Sequence, residues 1–271
     1  MATWRLFLPG DGSGAYNMAA DTALLESIRD EKSGPVLRFY RWVPSCVTLG
    51  KFQPAEGNVH LENCARLGID VVKRPTGGRA IFHDHEVTFS VIIAEKDLPQ
   101  AGTSIMDSYR VLGTALVNGL QRIGLAAELV DRHAKTRSGD PSSVTSVGNP
   151  ACFAAKARCD LMVNNRKIIG CAQLRKNGVI LQQNSLPLSV DFPRWEEVFF
   201  RSDWQAVAEG GAIDLWTAAE SEIPYDHVVS AICAGFTDAL GVEFIPGKMS
   251  EVEDARTQEL VPEYSILSTA R

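Results

Sequence analysis

The stretch Asp160-Leu161-Met162-Val163-Asn164-Asn165-Arg166-Lys167-Ile168-Ile169-Gly170-Cys171-Ala172-Gln173-Leu174-Arg175-Lys176-Asn177-Gly178-Val179-Ile180-Leu181 reads as three strands folded back on one another. Asn164-Asn165 is a two-residue turn of side chains that tolerate positive φ, and Asn177-Gly178 is the strongest short hairpin signal. Strands are therefore expected at 160–163, 166–173 and 179–188. Simple alternation puts Lys167 and Ile169 on one face of the middle strand, and Arg166, Ile168 and Gly170 on the other.

Upstream of the hairpins, apolar residues recur at helical spacing over 17–28 (Met18, Ala19, Ala23, Leu24, Ile28). Segments 36–41 and 47–49 read as short strands broken by Pro44. Segment 60–67 reads as a helix stopped by Gly68, and 69–73 as a strand that runs into Pro75-Thr76-Gly77-Gly78. An apolar strand follows at 87–94, then the longest helix candidate at 103–123, closed by Gly124, and a strand at 126–130. Near the N-terminus the apolar run Leu6-Phe7-Leu8 is cut off by Pro9-Gly10-Asp11-Gly12, and neither a secretory signal nor a transit peptide is expected there. Beyond Pro193, helices are expected at 195–200 and 224–240, a strand at 242–245, and a last helix at 250–260 opened by a Ser250…Glu253 capping box. Helices grouped around a sheet of mostly antiparallel hairpins make an α+β fold. The expected division is a catalytic domain over 1–247, its core at about 34–247, and a helical extension over 248–271.

The 271 residues carry 27 Lys and Arg against 33 Asp and Glu, a net charge of −6. Binding to nucleic acid or to an anionic membrane calls for a basic footprint, so neither is expected as a partner. No run approaches the ~20 apolar residues of a membrane span. Six cysteines (Cys46, Cys64, Cys152, Cys159, Cys171, Cys233) are scattered without a CxxC pair, which points to free thiols in a reducing cytoplasm. Neither GxxxxGK[ST] nor GxGxxG occurs, which weakens the case for the ordinary nucleotide folds.

Four places could carry chemistry. Lys73-Arg74-Pro75-Thr76-Gly77-Gly78-Arg79-Ala80 runs a strand into a double glycine, which lets backbone N–H groups approach an anionic or carbonyl oxygen; a plain turn with solvated arginines is the alternative. In His83-Asp84-His85-Glu86 an extended chain puts both histidines on one face, but without further metal-ligand spacing His83 is better read as a polar wall of the glycine loop than as a ligand, and no metal is expected. Cys152 follows the polar loop 135–150, with Lys156 and Arg158 near in sequence, the electropositive setting in which a thiolate is favoured; nucleophile and bystander both stay open. Lys167 opens a strand before the small step Gly170-Cys171-Ala172, and is either a solvated edge lysine or a site cation. Cys46, Cys64 and Cys233 fit the description of small buried hydrophobes.

Taken together, Asn17-Met18-Ala19, Arg74-Pro75-Thr76-Gly77-Gly78-Arg79 with His83-Asp84, Cys152-Phe153, and Arg166-Lys167-Ile168-Ile169-Gly170-Cys171-Ala172-Gln173 stand in an order and spacing that resembles the lipoate/biotin protein ligase superfamily. Within it the chain resembles the cysteine-type octanoyltransferases, and the likeness extends over Arg38-Phe39-Tyr40 and Gly178-Val179-Ile180-Leu181-Gln182. The resemblance implies a biotin/lipoate ligase-like catalytic domain with a mixed, mostly antiparallel sheet flanked by helices. It matches Cys152 to the acyl-thioester nucleophile and Lys167 to the cation that lowers the thiol's pKa. It assigns the acyl-binding loop to Arg74, Thr76, Gly77, Gly78, Arg79 and His83, with Gly170 and Ala172 beside it. Lys73 stands where the family usually has Arg, Cys171 where Ser is common, and Gln183-Asn184 where His-Gly is common.

The activity so implied moves octanoate from octanoyl-acyl carrier protein to a lysine of a lipoyl domain, such as the glycine-cleavage H protein or a 2-oxoacid dehydrogenase E2, without a cofactor. Transfer between lipoyl domains and ATP-dependent lipoate ligation are the rival enzyme readings, and a non-catalytic lipoyl-domain binder is the third class. An octanoyl tail needs an apolar slot, worth at most about 0.8 kcal/mol per buried CH₂. Val72, Ile81, Phe89 and Val91 are the candidates to line it, and Arg74, Arg79, Lys156, Arg158, Arg166, Arg175 and Lys176 the candidates for a basic patch that receives an acidic carrier.

Overall fold

The computed structural model describes residues 2–98, 100, 102, 104–131, 159–200 and 211–267. Its larger sheet is formed by β1 (Ala2–Gly12), β2 (Val36–Trp42), β6 (Glu86–Ala94), β7 (Glu128–Asp131), β8 (Cys159–Val163), β9 (Arg166–Lys176), β10 (Val179–Pro187) and β11 (Val242–Pro246), in the order β11-β1-β2-β6-β10-β9-β8-β7. The β11–β1 and β1–β2 junctions are parallel, and every other junction of this sheet is antiparallel. A second sheet holds β3 (Cys46–Leu49), β4 (Asp70–Lys73), β5 (Ile81–His83) and β12 (Ser265–Leu267) in the order β12-β4-β3-β5. The α+β architecture agrees with the sequence reading, but two sheets stand where a single one was expected. Strands of three or four residues carry too little pattern to show which sheet they join.

The hairpins form where Asn164, Asn165, Asn177 and Gly178 take positive φ, of 51°, 60°, 51° and 76°. β1 runs through Pro9-Gly10 to Gly12, with a register shift against β2 between Phe7 and Gly10.

The main core lies between one face of the large sheet and the helices α3 (Ile105–Arg122) and α6 (Tyr225–Leu240), joined by Leu112, Leu116, Ile232 and Phe236. These helices touch through glycine: a Cβ on Gly235 would sit 2.3 Å from the Ala115 carbonyl oxygen. The other face of the sheet carries α1 (Gly14–Arg29), started by Ser13 Oγ accepting from the Tyr16 N–H. The helix buries Asn17 and Asp21 as completely as its alanines and leucines. Shorter helices α2 (Leu61–Leu67), α4 (Phe192–Val198) and α5 (Leu215–Ala219) cover the small sheet and the sheet ends. After β11 the chain forms α7 (Glu251–Leu260), which opens with the capping box at Ser250 and Glu253 and packs on α1. No helix of the described residues is long and apolar enough to cross a membrane.

Candidate active site

The site is built where α1 and the small sheet meet the polar face of the large one. At the end of β4 the chain turns through Pro75 to Gly78 and is tied back to β3: the Arg74 N–H donates to the Leu49 carbonyl and the Lys51 N–H to the Thr76 carbonyl, each at 2.9 Å. Gly50 passes so close that a Cβ there would lie 1.9 Å from the Gly78 oxygen, and Gly78 itself has φ of 97°. A side chain at either position would break this approach.

Arg74 is the frame of the turn. Its buried guanidinium donates to Thr76 Oγ1 (3.0 Å), the Thr48 carbonyl (3.1 Å), Thr48 Oγ1 (3.2 Å), the Gly77 carbonyl (2.7 Å) and the Arg79 carbonyl (2.8 Å). Arg74 therefore does not belong to a surface patch for a carrier protein. Arg175 is likewise turned inward, 3.6 Å from Glu95, while Lys156 and Arg158 lie outside the described residues.

From the turn a continuous polar network crosses to α1. Thr76 Oγ1 donates to Gln183 Oε1 at 2.8 Å, and Gln183 Nε2 donates to Asp21 Oδ2 at 2.8 Å. Asp21 also accepts from Arg38 Nη1 at 2.9 Å, Ser90 Oγ at 2.8 Å and Tyr40 OH at 3.3 Å, and Arg38 Nη2 donates to Asn17 Oδ1 at 2.8 Å. Each polar atom so named has its partner, which is the condition for burying it.

A second network surrounds His83. Its Nδ1 is 2.7 Å from Glu86 Oε1, its Nε2 is 2.8 Å from Thr48 Oγ1, and its ring stacks on Trp42 at a centroid distance of 4.2 Å. Glu86 also accepts from Ser185 Oγ at 2.6 Å and from Thr88 Oγ1. Burial pushes the Glu86 carboxyl up, but the facing His83 and the Ser185 and Thr88 hydroxyls more than reverse this, and it ends below the ordinary carboxylate range. His85 sits apart, exposed and bonded to Ser189, so the two histidines do not share a face. The bend at Asp84-His85 between β5 and β6 turns the second one away.

Between the networks lies a narrow slot. Met18, Tyr40, Trp42, Ile81 and Ala172 give it apolar walls, and Arg74, His83, Gly170 and Gln183 reach it from the predicted loop and strands. Of the expected apolar lining only Ile81 is present. Phe89 and Val91 point to the α3–α6 core, because along β6 it is Thr88 that faces the slot, and Val72 packs behind Met18, Tyr40 and Trp42.

Lys167 reaches this side of the sheet by an irregularity that alternation could not reveal. Against β8, Leu161 faces Ile169 but Met162 faces Lys167, so Ile168 is one residue extra. Ile168 and Ile169 both enter the main core beside Leu161, and the side chain before them swings to the opposite face. Lys167 therefore shares the face of Gly170, and its Nζ lies 3.1 Å from Asp160 Oδ1, both side chains being buried. The Ile213 N–H donates to the Lys167 carbonyl at 2.9 Å and holds the bulge. Cys152 lies outside the described residues. Three of the other thiols are poor nucleophiles: burial holds Cys46 well above its ordinary value and pushes Cys64 up to about 11 and Cys233 up to about 12.

The sequence reading passed over Asp21, Asp160 and the relation of Glu86 to His83. A visible signal existed for the first: Asn17 and Asp21 are four apart on a helix face otherwise made of Ala and Leu, where solvated polar groups do not belong.

Residues 13–237 match the lipoyl protein ligase A/B catalytic domain family. Octanoyltransferase LipM of Kyrpidia tusciae is 35% identical over 272 residues, 97% of this chain and 97% of its own. The octanoyltransferase LipM of Bacillus subtilis is 33% identical over 258 residues, 93% of this chain and 91% of its own. Among solved structures, lipoate-protein ligase A bound with ATP superposes with a TM-score of 0.76 at 25% identity, over 97% of this chain and 95% of its own. A putative lipoate protein ligase from T. acidophilum with bound lipoic acid gives 0.72 at 26% identity, again over 97% and 95%. With octanoyltransferases similar to it along nearly their whole length, the chain belongs to the lipoyl protein ligase A/B catalytic domain family.

Proposed function

We propose that the protein is an octanoyltransferase of protein lipoylation, which takes the acyl group from octanoyl-acyl carrier protein onto Cys152 and passes it to a lysine of a lipoyl domain. The observation that supports transfer over ATP-dependent ligation is the 35% identity with an octanoyltransferase along 97% of both chains. The fold alone suits either activity, since the ATP-bound ligase shares it.

In this reading the slot holds the octanoyl tail between Met18, Trp42, Ile81 and Ala172, and the turn of Thr76, Gly77, Gly78 and Arg79 is tied to it through Arg74. Lys167, fixed as a cation by Asp160, stabilises the Cys152 thiolate and the oxyanion of the tetrahedral intermediate. A thioester is already activated, so exchange onto Cys152 is near balance and the later formation of an amide runs downhill. Two successive displacements through one thiol make a ping-pong reaction. Residues 1–247 are the catalytic domain, and the extension from 248 braces α1, where Arg256 Nε lies 2.8 Å from Glu26. Free Cys46, Cys64, Cys171 and Cys233 suit a reducing cytoplasm.

A donor panel tests the reading: octanoyl-acyl carrier protein, an octanoylated lipoyl domain, and free octanoate with ATP, each offered with an apo lipoyl domain. Octanoyl-acyl carrier protein is expected to be the efficient donor, and Cys152→Ala is expected to stop the reaction. Product from octanoate and ATP that survives Cys152→Ala would replace transfer by ligation, and preference for the octanoylated lipoyl domain would make the enzyme an amidotransferase.

A further inference from the structure

The slot has a second layer, and part of it comes from the end of the chain. Met18, Tyr40 and Trp42 give the slot apolar wall on one side. On their other side the same three residues form a buried cluster with Ala15, Cys46 and Val72, and Val261 and Tyr264 pack against that cluster. There is little slack in it: a Cβ on Gly14, at the start of α1, would lie 2.5 Å from Cys46 Sγ and 2.8 Å from Val72 Cγ1. Tyr264 is also bonded to both elements that meet here. Its hydroxyl lies 2.6 Å from Thr22 Oγ1 on α1, and its carbonyl accepts from the Lys73 N–H at the end of β4, at 3.2 Å. From Tyr264 the chain enters β12, which pairs with β4 through Ser265 opposite Val72 and Leu267 opposite Val71. Lys73 leads straight into Arg74, whose guanidinium frames the glycine turn. One residue of the extension therefore ties α1 to β4 behind the slot. Arg256 braces the same helix elsewhere, through a partly exposed pair with Glu26.

We propose that Tyr264 is a positioning residue for acyl selection: its ring backs the cluster of Met18, Tyr40, Trp42 and Val72, so that the C-terminal extension sets the width of the slot. The inference rests on the reading that the slot holds the octanoyl tail, and gives residues beyond 247 a part in choosing the substrate. Protein interiors are close-packed, so a wall side chain yields only as far as the atoms behind it yield. Rejecting an acyl chain longer by two methylenes requires a wall that does not recede, because accommodating the extra groups then strains the packing. Loss of the Tyr264 ring leaves space behind the cluster, which the wall can move into under the longer chain. The cost of rejection is then partly recovered, and discrimination falls.

The test offers equimolar octanoyl- and decanoyl-acyl carrier protein with an apo lipoyl domain and reads the ratio of the two products by mass. It is made on wild type, Tyr264→Ala, Tyr264→Phe, Arg256→Ala and Met18→Ala. In competition that ratio is the ratio of the two kcat/KM values. It does not depend on how much of the enzyme is folded, so a purely structural role would leave it unmoved. Wild type is expected to make mainly the octanoyl product. Tyr264→Ala should lower the ratio by about fourfold, the worth of one buried methylene. Tyr264→Phe, which keeps the ring and the main-chain bonds, should restore the wild-type ratio. Arg256→Ala, which loosens the extension away from the slot, should leave it unchanged. Met18→Ala, in the wall itself, should lower it. Should Tyr264→Ala not fold, Tyr264→Leu is read in its place. An unchanged ratio for the Tyr264 variant, an equal fall for Arg256→Ala, or failure of Tyr264→Phe to restore it would each overturn the assignment, and a fall with Met18→Ala would still leave the slot reading standing. A wild type indifferent to chain length, or a ratio that neither the Tyr264 nor the Met18 variant moves, would remove the slot reading and the proposal with it.

Discussion

Along β6, Val87, Phe89, Val91 and Ile93 enter the apolar core with α3 and α6, while Thr88 and Ser90 join the hydrogen-bonded networks beside α1. One strand thus serves two regions of different character. The α3–α6 side is close-packed and tolerates exchange of like for like, because dispersion and burial are nearly direction-free. The α1 side is held by directed bonds among Asp21, Arg38, Gln183, Thr76, Arg74 and Glu86, where losing one partner strands another. Substitutions on the first side should therefore lower stability and spare the rate per folded molecule, and those on the second should act on the rate as well.

The largest effects test this division. Phe89→Ala, in the core, is expected to cost about 3–5 kcal/mol in denaturant unfolding, with the transfer rate of the folded fraction unchanged. Asp21→Ala leaves the buried Arg38 guanidinium without its carboxylate, 2.9 Å away in the wild type, and should cost a similar 3–5 kcal/mol with loss of transfer. If both variants kept the rate, the two regions would not differ in function.

Next come the glycines. Gly235→Ala and Gly50→Ala each force a methyl against a carbonyl oxygen, at 2.3 Å and 1.9 Å, and each should cost about 1–3 kcal/mol by melting. Only Gly50→Ala, against the Gly78 turn, should also abolish octanoyl transfer. A smaller effect concerns pH. Because the folded Glu86 carboxyl lies below its unfolded value of 4.5, its ionised form contributes stability above that pH, and the contribution is lost as pH falls through the folded value. Glu86→Gln should therefore flatten the fall of Tm below about pH 4.5; an unchanged acid limb would contradict this. Smallest of all, Arg66→Ala breaks a solvent-exposed pair with Glu197 and should move stability by about 0.5 kcal/mol or less.

Much of this frame was legible from local chemistry. Gly68 ends α2 at φ of 68°, Ser250 and Glu253 form the capping box, and the two hairpin turns fall on Asn164-Asn165 and Asn177-Gly178. These signals are contained within a few residues, which is why they can be read without a partner segment. The strands β5 and β12, of three residues each, and the separation into two sheets depend on distant pairing and leave little local trace. The placement of Lys167 is of the same kind. An extra Ile168 reverses the alternation, and nothing in Arg166-Lys167-Ile168-Ile169 marks which residue the sheet leaves unpaired. For the site, Arg74, His83, Gly170 and Ala172 were found from motif and resemblance and do meet at one slot. Asp21 was hidden in a helix and Asp160 in a strand, where a buried carboxylate shows itself only through the cation that faces it.

The account depends on one thiol carrying the acyl group. The direct measurement is intact mass after incubation with octanoyl-acyl carrier protein, made on the wild type, Cys152→Ala and Cys64→Ala. A gain of one octanoyl group is expected on the wild type and on Cys64→Ala, whose thiol burial keeps protonated, and none on Cys152→Ala. The same gain on Cys152→Ala, or none on the wild type while the acceptor domain becomes octanoylated, would contradict it.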